Sequence, residues 1–148
     1  MYKNILVAID DSETSRSALK EALHIARTSN AKLYITHVAD ETILNIHGHA
    51  MSNAVNLDGA VANLIQGGQQ LLDKAMEAAA GINAETLMLE ASNRRISEVI
   101  ADKARELGVE LIVVGRHGRR GLATLLLGSV AEQLAKIAEA SVLLVRKH

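Results

Sequence analysis

Residues 111–129 read LIVVGRHGRRGLATLLLGS. Leu111 to Val114 form a run of four aliphatic residues, the pattern of a strand buried on both faces. A glycine follows at once, then a basic loop punctuated by further glycines. At Ser129 a segment with helical spacing begins. A buried strand that passes through glycines into a helix is the repeating unit of a parallel α/β sheet.

The same unit recurs on either side. Ile5 to Ile9 (ILVAI) reads as a buried strand. Apolar residues at Ala18, Leu19, Ala22, Leu23 and Ala26 then predict a helix over 12–30, with Ser12 as its N-cap. Leu33 to Val38 is a second strand. A long loop is expected from Asp40 to about Gly59, longer than such units usually carry. The helix after it is marked by Val61, Leu64, Ile65, Leu71, Leu72, Ala75, Met76 and Ala79. Gly67 and Gly68 lie inside it and weaken its continuity by about 1 kcal/mol each. Glu85 to Leu89 reads as a third strand. Ile96, Val99, Ile100, Ala104 and Leu107 mark a helix ending near Gly108. After the fourth strand, Ser129 to about Glu139 is helical, and Val142 to Val145 is the last strand. Regular alternation of this kind implies right-handed crossovers and one parallel sheet covered on both faces.

Composition agrees. The 148 residues suit one domain and are 49% apolar, yet they include no Phe, Trp or Pro and only two Tyr. The core must therefore be aliphatic, as doubly covered parallel strands require. Net charge is −1, so no strong field draws the chain to nucleic acid or acidic lipid. With almost no aromatic residues to stack on bases, Arg94, Arg95, Arg119 and Arg120 read as solvated or phosphate-facing side chains. Absence of cysteine excludes disulfides, thiolate metal sites and a Cys nucleophile. There is neither a signal-peptide pattern nor an 18-residue apolar window, so a soluble cytoplasmic protein is expected.

In an open parallel sheet, ligands bind beyond the carboxyl ends of the strands where strand order reverses. Three segments lie at such ends: Asp10-Asp11-Ser12, His37 to Asp40, and Gly115 onward. In the third, Gly115, Gly118 and Gly128 let backbone N–H groups approach a bulky anion, and a helix starts at Ser129 where its dipole favours phosphate. Arg116, His117, Arg119 and Arg120 add positive charge. A plainer reading is equally open from spacing. Ser129-Val-Ala-Glu132 forms a capping box, and glycine is common in β–α loops. The loop is neither a P-loop nor a dinucleotide fingerprint.

The spacing Gly115-x2-Gly118-x9-Gly128-Ser129 resembles the motif of nucleotide-binding members of the universal stress protein family. KNILVAIDDSETSRSAL resembles that family's opening, LIVVGRHGRRG its fourth strand and loop, and SVLLVR its closing strand. The likeness covers nearly the whole chain. It implies a three-layer, doubly wound α/β fold of the adenine-nucleotide α-hydrolase-like type, with five parallel strands in the order 3-2-1-4-5. It also implies ATP, or AMP or ADP, bound with or without Mg²⁺. Asp10 would be the acidic residue near the nucleotide, and Val38 would flank adenine. Gly115, Arg116 and Gly118 would shape the ribose and phosphate turn, with Gly128, Ser129 and Val130 at the phosphates. Dimerisation would run through Val142 to Val145, which would also shield an apolar edge strand.

Two departures stand out. Ser141 occupies a place where the family often has Pro. Ala91-Ser-Asn-Arg-Arg95 replaces a Gly-x-Pro turn, which leaves the exit of strand three open. Elsewhere, Asp11 or Ser12 is expected to cap the first helix or lie on the surface. His24 and His37 are expected to be packed, and His47 and His49 lack a third metal ligand. No Ser-His-Asp set or loop lysine suggests catalysis. The expected function is nucleotide sensing without robust catalysis. The competing readings are a homodimeric interaction module that binds no nucleotide, its glycines only shaping turns, and a slow ATP-hydrolysing or adenylyl-transferring enzyme. The adenylyl-transfer reading would need a Ser-Gly-Gly-x-Asp-Ser loop where the chain has Asp10-Asp11-Ser12.

Overall fold

The computed structural model describes residues 1–40, 54–116 and 128–147. In chain order they form β1 (Asn4–Ala8), α1 (Glu13–Ser29), β2 (Lys32–Ala39), α2 (Ala54–Ala78), β3 (Ala84–Glu90), α3 (Ile96–Glu106), β4 (Leu111–Gly115), α4 (Ser129–Ile137) and β5 (Ser141–Val145). All five strands are parallel, in the order β3-β2-β1-β4-β5.

Strand alternation divides the core into two faces. Ile5 and Val7 of β1 pack with Ala18, Ala22, Leu23 and Ala26 of α1 and with Leu72 and Ala75 of α2. Leu6 points the other way, towards Ile100, Ala101 and Ala104 of α3 and Ala131 and Leu134 of α4. The alanines let helices lie close to the sheet, which compensates for the missing large aromatics. Ser12 caps α1 by accepting the Ser15 N–H, and Asn30 closes the helix in the left-handed region.

Of three expectations, the first and third need correction. First, α2 begins at Ala54, before the Gly59 to which a loop is expected; residues 41–53 of that expected loop lie outside the described residues. Polar Asn56 and Asp58 weaken the apolar signal there. Second, the helix expected through Gly67 and Gly68 is present and unbroken. Tertiary packing overrides propensity, since Gly68 is buried against β2 and β3. Third, His24 is exposed. It sits one residue past inward-facing Leu23, and about 100° of helical rotation carries it to solvent.

Both departures from the family pattern have local explanations. Ser92 and Asn93 adopt φ of 52° and 65°, making the turn after β3 without glycine. Arg94 N–H closes that turn on Ala91 O at 3.0 Å. Ser141 N–H donates to Glu110 O at 3.1 Å, a bond that proline could not make. The Glu110 side chain accepts from the Lys3 and Asn4 N–H groups, which together hold its carboxyl below the usual range. The Glu110 contacts knit the sheet end opposite the candidate site.

Candidate functional site

The register brings the predicted segments together. Ala8 of β1 pairs with Thr36 of β2 and with Val114 of β4. Two residues further along each strand lie Asp10, Val38 and Arg116, so these three occupy one level beyond the central strands. Strand order reverses between β1 and β4, which makes this level the switch-point crevice.

The β1 side is fixed by several short hydrogen bonds. Ile9 N–H donates to Thr36 O at 2.8 Å, and Ile9 O lies 2.8 Å from His37 Nδ1. Asp10 N–H donates to Ser15 Oγ at 2.7 Å, while Asp10 Oδ1 accepts Ser12 N–H at 2.8 Å. That last bond is an Asx turn, which aims the chain into α1. Asp11 is exposed, as expected, and its carbonyl accepts from Arg16 Nη1 at 3.1 Å. At the entrance to α1, the Lys147 ammonium lies 2.7 Å from the Glu13 carboxylate. Its hydrogen bond and charge lower the Glu13 pKa.

On the β4 side, Gly115 is buried against the first turn of α1. A Cβ there would sit 2.7 Å from Thr14 Oγ1 and 2.9 Å from the Thr14 carbonyl carbon. The next residue is clasped twice. Arg116 N–H donates to Val145 O at 2.8 Å, and Arg116 O accepts Gly128 N–H at 2.7 Å. The second bond pins the start of α4 to the end of β4, joining the two ends of the glycine motif. Gly118, together with His117, Arg119 and Arg120, lies outside the described residues, as do His47 and His49.

The capping box is not formed. Gly128 is the N-cap of α4 (φ −61°, ψ 151°) and makes no side-chain cap bond; Ser129 is already the first helical residue. Gly128 is tied to Arg116, so the helix starts one residue earlier than a Ser129 cap would allow. Glu132 instead reaches Lys136 at 3.4 Å. The N–H groups of Ser129, Val130 and Ala131 are those that an intrahelical ladder leaves over, and at this end of a helix they favour an anion. Ser129 is exposed, and Val130 and Gly128 are half-buried. Val38 is buried against the α3–α4 face.

Other candidates lie apart from the crevice. Arg94 pairs with Asp102 at 2.6 Å and with Glu98 at 3.8 Å on the surface of α3. Among the described residues no three His, Asp or Glu side chains cluster as a metal site. Thr14 and Ser15 shape the crevice, yet sequence reading passed over them. Their only signal is a position in the first turn of a helix after a strand.

A doubly wound parallel sheet, with glycines and a helix start at its switch point, defines an open α/β protein, the architecture in which ligands bind beyond the carboxyl ends of the strands. The chain belongs to the universal stress protein family, which it matches over residues 1–146. It is 35% identical over 151 residues to universal stress protein YxiE of Bacillus subtilis, covering 99% of this chain and 100% of YxiE. Its fold is similar to that of the hypothetical protein MJ0577, with a TM-score of 0.83 at 25% identity over 100% of this chain and 98% of that one. It is also similar to a universal stress protein solved in complex with cAMP, with a TM-score of 0.71 at 26% identity and 99% coverage of both chains. Among the described residues no helix is long and apolar enough to cross a membrane.

Proposed function

We propose that this chain binds an adenine nucleotide across the ends of β1, β2 and β4 and acts as a regulatory nucleotide sensor in stress responses. The observation that carries the reading is the clasp from Gly128 N–H to Arg116 O, 2.7 Å long. It presents the first turn of α4 to the crevice with no side-chain cap. Phosphate oxygens would accept from the N–H groups of Ser129 and Val130 and from the Ser129 hydroxyl. Arg116 and Gly118 would complete the turn, Asp10 would face the ribose side, and Val38 would flank the base. The related protein solved with cAMP supports an adenine-containing ligand. ATP with Mg²⁺ is the form proposed here. Binding and release, without robust catalysis, is the proposed mode of action. In the cytoplasm the chain would work as a homodimer. The outer edge of β5, unpaired among the described residues and with Val142, Leu143 and Leu144 half-buried, would join its symmetry mate.

Calorimetric titration with ATP, AMP and cAMP, each with and without Mg²⁺, tests the reading. Saturable binding at or below millimolar concentration is expected; no heat from any of the three sinks it. Ser129→Ala sharpens the test. Because Ser129 does not cap α4, the variant should keep its stability to within about 0.5 kcal/mol, whereas loss of a true cap costs about 1 kcal/mol. Nucleotide affinity should fall about 5-fold, as expected for one lost hydrogen bond. A stability loss with unchanged affinity would show that Ser129 serves the fold of α4 and not the phosphates.

A further inference from the structure

His37 stands at the junction of three elements. It is the penultimate pair but one of β2, its Nδ1 lies 2.8 Å from Ile9 O, and its ring edge lies against Gly68 of α2. A carbonyl can only accept, so the ring carries its proton on Nδ1 and donates. A Cβ on Gly68 would come within 2.6 Å of His37 Cδ2 and 3.1 Å of its Nε2, and within 2.8 Å of Met88 Cε. Gly68 is therefore the gap in α2 that seats the imidazole.

The placement has a consequence for the crevice. Ile9 is the residue before Asp10, one beyond the last β1–β2 pair. Its N–H is held by Thr36 O and its carbonyl by His37, so both of its polar groups are fixed by β2. The next two bonds, from Asp10 N–H to Ser15 Oγ and from Ser12 N–H to Asp10 Oδ1, continue the same turn. We propose that His37 is a positioning residue: wedged in the Gly68 notch of α2, it sets the Ile9–Ser12 turn and thereby the Asp10 side of the nucleotide crevice. The inference rests on the nucleotide-binding reading for its effect on affinity, but not for its effect on the turn.

Two variants separate the hydrogen bond from the packing. His37→Phe keeps a ring in the notch and removes the donor. His37→Asn keeps a donor near the Nδ1 position and removes the far edge of the ring. Calorimetry with ATP and Mg²⁺ should show about 5-fold weaker binding for His37→Phe, the equivalent of one hydrogen bond. His37→Asn should stay within about 2-fold of the parent, by retention of that bond. Amide hydrogen exchange at Asp10 and Ser12, read by NMR without ligand, should accelerate in His37→Phe and not in His37→Asn. Parent-like affinity and exchange in His37→Phe would overturn the proposal, as would equal losses in both variants that follow their melting temperatures. If the parent protein binds no nucleotide, the binding reading falls and the exchange experiment alone decides whether His37 sets the turn.

Discussion

Gly115→Val is expected to be among the most damaging single substitutions in this protein. The added Cβ would lie 2.7 Å from Thr14 Oγ1, 2.9 Å from the Thr14 carbonyl carbon and 3.0 Å from its Cβ. A hydroxyl can rotate away, but the carbonyl carbon moves only with the first turn of α1. Overpacking of a tight site costs about 1–3 kcal/mol, and the β-branched side chain places this case at the upper end. The strain falls where β4 meets the start of α1, so relief requires the two walls of the crevice to separate. Chemical denaturation should show the stability loss, and calorimetry should show nucleotide binding weakened at least 10-fold, a factor that needs only about 1.4 kcal/mol. Combining the change with Thr14→Ala should restore only part of the stability, because the backbone contact persists. Full restoration would mean that the hydroxyl alone sets the constraint.

The second large effect is expected at Leu134. Helix α4 has 9 residues and buries only Ala131 and Leu134, both on the α3–α4 face. Leu134 is fully buried, and Ile137 at the helix end is 44% exposed. So short a helix has little stability of its own and depends on packing. Leu134→Ala should destabilise the protein by about 2–5 kcal/mol, from lost transfer energy plus the cavity. For a chain of this size that is a fall of roughly 5–15 °C in melting temperature. Because α4 carries Ser129 and Val130, nucleotide affinity should drop even at temperatures where the fold persists. Calorimetry at 10 °C beside a thermal melt distinguishes this from global unfolding. Retained affinity in the destabilised variant would show that the start of α4 is held by the Gly128–Arg116 clasp alone.

The legibility of the site varied by residue, and the pattern has physical causes. Ser12 was readable as a cap because capping depends on a few neighbouring residues, and the bond to Ser15 N–H is there. Ser129 satisfied the same local rule with Glu132 at the right spacing, yet the structure caps α4 with Gly128. The deciding contact is the bond to Arg116 O, twelve residues earlier in the chain, which no local pattern reveals. Gly68 looked like a weak point in a helix for the same reason. Its partners His37 and Met88 lie on β2 and β3, and only their approach makes a side chain at 68 unwelcome.

The alternation of strands and helices, the two-sided aliphatic sheet and the positions of Asp10, Val38 and Gly115 at strand ends are legible in the sequence, and family likeness adds the 3-2-1-4-5 order. Periodicity and turn chemistry are short-range properties, so they can be read along the chain. Contacts made in the folded chain set the start of α2 at Ala54 and its continuity through Gly67 and Gly68, turn His24 to solvent and release Ser129 from capping. They also bring Thr14, Ser15 and His37 together as the crevice wall. Each of those outcomes rests on a contact between residues brought together by β-sheet register or by the packing of a helix on the sheet, and such contacts exist only once the chain has folded.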